Sequence, residues 1–171
     1  MQTPQQQASW KFTPRDFIDP APKMTSSITA IFVYGTLQRG EVRERCWPRK
    51  PVRIEWATIR GQLCDLGDYP ALVFGEDLIL GELWHIAEKD MAATLTALDE
   101  VEWFGQDEYD LYIREIVTCR TLSGEEQPAY TYRYAQLAEI AQSPIMLPGE
   151  DGFCHWSNRR VSSDPPRRHS M

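Results

Sequence analysis

Ile28-Thr29-Ala30-Ile31-Phe32-Val33-Tyr34-Gly35-Thr36-Leu37 is an apolar run that breaks on a glycine turn and gives way to the polar, Arg- and Glu-rich stretch Gln38 to Arg45. The run reads as a strand and the polar stretch as helix-like. A strand, a glycine turn and a helix-like segment in that order aim the free backbone N–H groups of Gly35 to Leu37 at one point, which suits an anion. Gly35 would let a ligand approach the backbone closely, and Gly40 relaxes the chain a little further on. Alone, such a feature is most often an ordinary turn.

A helix read over Glu88 to Glu102 adds a second signal. Met91, Leu95, Leu98 and Glu102 are spaced four, three and four apart, which at 3.6 residues per turn leaves roughly 20° between the first and the last. All four share one stripe, so a carboxylate stands where a core residue is expected. An unpaired carboxylate is costly to bury as an anion. It either finds partners or its pKa rises toward the range a proton shuttle needs. The plainer alternative is that the helix frays before Val101 and leaves Glu102 in solvent.

Outward from these two segments, alternation and apolar runs predict strands at Ile28 to Tyr34, Val52 to Leu63, Ala71 to Phe74, Leu78 to Ile86, Leu111 to Arg120 and Pro128 to Tyr134. Glu88 and Asp90 fall in the first turn of the helix, where the macrodipole favours them. Ser123-Gly124 reads as a hairpin turn, making the last two strands antiparallel. The expected fold is α+β, a small mixed β-barrel with flanking helices. Residues 1–27 read as a polar N-terminal arm carrying Trp10, Phe12 and Phe17, residues 28–157 as the domain, and residues 158–171 as a disordered basic tail.

Composition narrows the classes of function. With 171 residues, 42% of them hydrophobic, the chain can bury one sizeable core. A formal net charge of −7 argues against a general nucleic-acid binder, which needs a basic face. Cys46, Cys64, Cys119 and Cys154 are far apart, and neither a Cys-x-x-Cys pair nor a His-rich cluster completes a metal site. They read as free thiols in a reducing compartment. Cys154-His155 is no nucleophile–base pair, because neighbours in an extended segment point to opposite sides. His85 belongs to the strand before the helix. No secretory signal is visible and the longest apolar stretch is too short to span a bilayer, so a cytoplasmic protein without membrane partners is expected. The oligomeric state is left open.

Five motifs follow one order: Tyr34-Gly35-Thr36-Leu37-x-x-Gly40, Asp65-Leu66-Gly67-Asp68-Tyr69-Pro70-Ala71-Leu72, Gly81-Glu82-Leu83, Leu98-Asp99-Glu100-Val101-Glu102 and Tyr112-x-Arg114. Together they resemble the gamma-glutamylcyclotransferase-like family, with its avirulence-induced and gamma-glutamylamine cyclotransferase branches, over about residues 28 to 134. The resemblance implies that Tyr34, Gly35, Thr36 and Leu37 hold a small γ-glutamyl substrate, and that Glu102 is the catalytic acid–base. It implies no cofactor and no metal. In the implied reaction the substrate's α-amine attacks its own γ-carbonyl, and 5-oxoproline and an amine leave.

Around that centre, Tyr112 is either a substrate-binding phenol at the pocket edge or a core residue. Arg114, on the same strand face, would pair with the substrate's carboxylate or with an acidic side chain such as Glu82. Trp103 stands where many members carry glycine and is expected to narrow the pocket mouth. Two other functions fit the same residues: removal of a γ-glutamyl group from a larger biosynthetic intermediate, and a non-catalytic module binding acidic ligands.

Overall fold

Strand β1 (Ala30–Val33) is buried at every residue, because both of its faces are covered. Ala30 and Phe32 point into one apolar cluster and Ile31 and Val33 into another. That is why the segment reads as a continuous apolar run. The computed structural model describes residues 27–105 and 109–156; the expected N-terminal arm up to residue 26 and the basic tail lie outside the described residues.

After β1 come a 3-10 turn (Glu44–Cys46), β2 (Arg53–Asp65), β3 (Pro70–His85), helix α1 (Glu88–Val101), β4 (Tyr112–Thr121) and β5 (Glu126–Tyr134). The strands close into a barrel in the order β1-β3-β2-β4-β5. Pairing is antiparallel except between β1 and β5, where Ile31 lies opposite Tyr130 in a parallel pair. The barrel is therefore mixed, as expected. Its interior is filled from Phe32, Leu63, Leu72, Ile79, Leu83 and Cys119. Helix α1 covers the outside, where Met91 and Leu98 meet Ile31, Val33, Trp84 and Tyr132. The hairpin at Ser123-Gly124 is present, with Gly124 at φ 97° and its N–H donating to the Thr121 carbonyl at 2.9 Å.

Three expectations change. The two strands read at Ala71 to Phe74 and Leu78 to Ile86 are one, β3, because the polar interruption between them is a bulge rather than a turn. Gly61 pairs with Asp77 and Gln62 with Val73, so the chain from Phe74 to Glu76 is extra on one side of the ladder. A bulge bends a long hairpin as barrel closure requires. The helix-like stretch after Leu37 is a series of turns ending in the short 3-10 turn, so among the described residues α1 alone represents the expected flanking helices. The helix itself stops at Val101 and leaves Glu102 as its C-terminal cap residue.

Gly81 sets how closely β3 can lie under β1. A Cβ there would sit 2.4 Å from the Val33 carbonyl oxygen and 2.7 Å from the Phe32 ring, and neither can retreat inside a packed barrel. Gly81→Ala should destabilise the protein by about 2 to 3 kcal/mol through overpacking. A urea unfolding curve checks this, and an unchanged midpoint would contradict the close packing.

Candidate active site

The chain leaving β1 turns tightly at Tyr34 to Gln38 and is held from outside. Gln38 N–H donates to the Gly35 carbonyl (3.1 Å), Arg43 N–H to that of Thr36 (2.9 Å) and the Trp47 indole to that of Leu37 (2.9 Å). With their carbonyls engaged on one side, the N–H groups of Gly35, Thr36 and Leu37 have no acceptor among the described residues. Such a run of unmatched donors favours a negative charge through its own dipoles, without needing a helix behind it.

Glu82 locks this loop to the barrel. Its carboxylate, 2% exposed, accepts from the Arg39 side chain (2.7 Å), the Arg39 backbone N–H (3.0 Å) and the Trp84 indole (3.0 Å). Both of its oxygens accept from donors, one of them charged, which is what makes a buried carboxylate tolerable. A Cβ on Gly35 would lie 2.6 Å from the Pro70 ring, so its bareness lets Pro70 seat against the loop.

Glu102 contrasts with Glu82 at nearly equal burial. It is 7% exposed, and among the described residues its nearest cationic partner is Arg43, whose Nη1 lies 4.0 Å from Oε2, beyond hydrogen-bond reach. Burial pushes its pKa up from 4.5 to about 7, and Arg43 holds it back only in part. The stripe of Met91, Leu95, Leu98 and Glu102 therefore does carry an under-partnered carboxylate into the protein. Glu100, two residues earlier, is exposed.

Tyr34, Gly35, Thr36, Leu37, Glu102 and Tyr112 all line one cavity of about 340 Å³ including its mouth, together with Arg43, Pro70 and Tyr132. The three phenols are built into the walls. Tyr34 donates to the Tyr132 carbonyl (2.6 Å), Tyr112 to that of Pro70 (2.8 Å) and Tyr132 to the Asp99 carboxylate (2.7 Å). Burial raises the pKa of each above the ordinary tyrosine value, so all three stay protonated near neutrality. Glu102 is the cavity-lining group whose protonation changes there.

Arg114 takes the second of its two expected roles, pairing with an acidic side chain, Asp99 (2.5 Å), and it stacks over Phe104 and Tyr130, so it braces α1 against β4 and β5. Trp103 is 63% exposed, adopts φ 53° and lies outside the cavity lining, so it does not narrow the mouth. Arg43, Tyr132 and Asp99 were missed. Asp99 did lie in a quoted motif, but nothing local marks Arg43, which reaches the cavity from a polar turn. Cys154 and His155 diverge as expected: the thiol donates to the Met146 carbonyl (3.3 Å) and the imidazole faces Asp151 (3.3 Å).

A closed mixed barrel with one carboxylate facing an amide-rich loop at its rim defines a small α+β protein of the cyclotransferase type. The family described as gamma-glutamyl cyclotransferase, AIG2-like, matches residues 31–157, and the chain belongs to it. Over 108 residues the chain is 34% identical to the gamma-L-glutamyl-butirosin B gamma-glutamyl cyclotransferase of Niallia circulans, a match covering 61% of this chain and 65% of that protein, just under two thirds of its length. Among solved structures, the AIG2-like protein of Mus musculus superposes with a TM-score of 0.53 at 20% identity, over 84% of this chain and 99% of that one. An Arabidopsis thaliana protein superposes with a TM-score of 0.50 at 23% identity, over 78% and 79%. These two likenesses are of fold. Among the described residues no helix is long and apolar enough to cross a membrane.

A carboxyl whose folded pKa lies above its unfolded value favours the folded state while protonated. Its contribution is complete below pH 4.5 and is lost as pH rises through about 7. Glu102→Gln removes that loss. The variant should therefore unfold at higher denaturant than the wild type at pH 8.5, by on the order of 2 to 3 kcal/mol. The gap should close by pH 5. A difference independent of pH would mean that the carboxyl is not held out of water.

Proposed function

We propose that this chain is a γ-glutamyl cyclotransferase whose acid–base group is Glu102. The observation that carries the reading is an under-partnered, buried carboxyl sharing one small cavity with three unmatched backbone N–H groups. A γ-glutamyl compound brings its own nucleophile, the α-amine, and folding the chain back places it against the γ-carbonyl at high effective concentration. At neutral pH that amine is an ammonium. Glu102 takes one of its protons, and the freed lone pair attacks the γ-carbon. Charge develops on the carbonyl oxygen, where the N–H groups of Gly35 to Leu37 would stabilise it. The bond to the departing nitrogen then breaks as Glu102 returns the proton to that nitrogen, and the regenerated carboxylate takes the second proton from the ring nitrogen and passes it to the departing amine, which leaves as an ammonium. The products are 5-oxoproline and an amine.

A cavity this small, open to solvent at its mouth, supports a reading in which it holds the γ-glutamyl head and leaves the rest of the substrate outside. Trp103 is exposed and outside the cavity lining, which is compatible with a larger leaving group at the mouth. This favours, as a second reading of the same chemistry, removal of a γ-glutamyl group from a larger molecule. The Niallia circulans relative is named for such a compound, gamma-L-glutamyl-butirosin B.

Purified protein incubated with γ-glutamyl-alanine, glutathione and a γ-glutamyl-lysine isopeptide should release 5-oxoproline from at least one, read by mass spectrometry. Glu102→Gln should lower turnover at least about a hundredfold, because it removes the proton acceptor at nearly constant volume. Glu100→Gln, on the exposed face, should be neutral. The kcat/KM profile should rise with pH through about 7, as Glu102 ionises. A flat acidic limb, or equal losses in the two variants, would refute the assignment.

A further inference from the structure

We propose that Arg43 binds the substrate's α-carboxylate, so that Arg43 and Glu102 together read the zwitterionic head of an α-amino acid and restrict the pocket to γ-glutamyl groups whose α-carbon carries both charges. This rests on the cyclotransferase reading and divides the work within it. Arg43 takes the carboxylate, Glu102 takes the ammonium, and the amides of Gly35 to Leu37 are left for the γ-carbonyl oxygen.

Among the described residues that line the cavity, Arg43 is the one cation. Three arginines from nearby segments are already matched, Arg39 with Glu82, Arg114 with Asp99 and Arg49 with Asp90, and none of them lines the cavity. Arg43 is different. Its guanidinium donates no hydrogen bond to a described residue, and its nearest carboxylate oxygen, on Glu102, is 4.0 Å away. A guanidinium offers a planar fork of N–H donors that matches a carboxylate edge.

The group is nevertheless positioned. Its backbone N–H is fixed to the Thr36 carbonyl at 2.9 Å, and its guanidinium lies over the Tyr69 ring at 5.7 Å. Arg43 is therefore tethered to the same loop that supplies the amides. Its side chain is 35% exposed, which places it at the mouth rather than in the wall. An α-amino acid presents an ammonium and a carboxylate on one carbon. The poles of opposite sign standing 4.0 Å apart in the cavity are the complement of that head. On binding, the substrate's charges replace a contact that is too long to be a hydrogen bond, so little is lost by separating the pair.

The competing role for Arg43 is to act on Glu102 alone, and a substrate without the carboxylate separates the two. The experiment compares γ-glutamyl-alanine with 4-aminobutanoyl-alanine, which closes to 2-pyrrolidinone by the same ring formation, in wild type, Arg43→Met and Arg43→Lys. Arg43→Met should lower kcat/KM for γ-glutamyl-alanine about 30-fold, chiefly through KM, as expected for losing one charge-assisted contact. For 4-aminobutanoyl-alanine the loss should be at least about tenfold smaller, because there Arg43 acts only through Glu102 and that substrate never made the carboxylate contact. Arg43→Lys should restore part of the difference. Equal losses on both substrates, or no loss on either, would overturn the proposal.

The same comparison is made in binding, by NMR titration of wild type and Arg43→Met with 5-oxoproline and 2-pyrrolidinone. Wild type should prefer 5-oxoproline and the variant should not; a preference that survives in Arg43→Met overturns the proposal. If wild type turns over no γ-glutamyl compound yet shows this Arg43-dependent preference, the cyclotransferase reading fails while the carboxylate assignment stands.

Discussion

Keeping the Glu102 carboxyl away from water is the constraint on which the rest of this structure depends. The group sits at the C-terminal cap of α1, at the end of a stripe whose other members are core residues. Two effects disfavour its anion there. Burial removes hydration, and the C-terminal end of a helix carries a partial negative charge from its aligned peptide dipoles that repels a carboxylate. The last turn of α1 contains no basic residue to offset the second effect. Arg43 supplies the opposing charge from another part of the chain. The balance leaves a carboxyl poised near neutrality, where both its protonation states are accessible.

Such a group is tolerable only because its surroundings are satisfied without it. Glu82, the other buried carboxylate at this rim, is matched on both oxygens and fixes the loop that follows β1. The phenols of Tyr34, Tyr112 and Tyr132 are each spent on a fixed acceptor, which braces β1, β4 and β5 around the cavity. Asp99 links Tyr132 to Arg114 and so ties the end of α1 to two strands of the barrel. Similar residue types thus have opposite roles, decided by partner count. A carboxylate with three donors is structural, and one with a distant guanidinium is available for chemistry.

Much of this was legible in the residues themselves. The β1 run, the helical stripe and the Ser123-Gly124 hairpin are local patterns, in which burial and turn chemistry leave a periodic trace. Glu102, Tyr112 and the Tyr34 to Leu37 loop could be placed at one site because their motifs match those of a known family in order. Other features left no such trace. The bulge in β3 resembles a turn, because Gly75, Glu76 and Asp77 break the apolar pattern as a loop would. Arg43 looks like any surface arginine in a polar turn, and only the folding of that turn brings it to the cavity. The partner of Arg114 stayed open in the sequence because several acids were available and strand alternation cannot choose among them. Trp103 was expected at the mouth from its place beside Glu102, but its positive φ turns the chain away.

The most direct measurement is the titration of Glu102 itself, followed by carboxyl ¹³C NMR in protein labelled at glutamate, with Glu102→Gln used to assign the resonance. A midpoint near 7 is expected from its burial and its distant arginine. A midpoint at the ordinary carboxylate value of about 4.3 would mean a solvated side chain, and neither the acid–base role nor the zwitterion-reading pair could then stand.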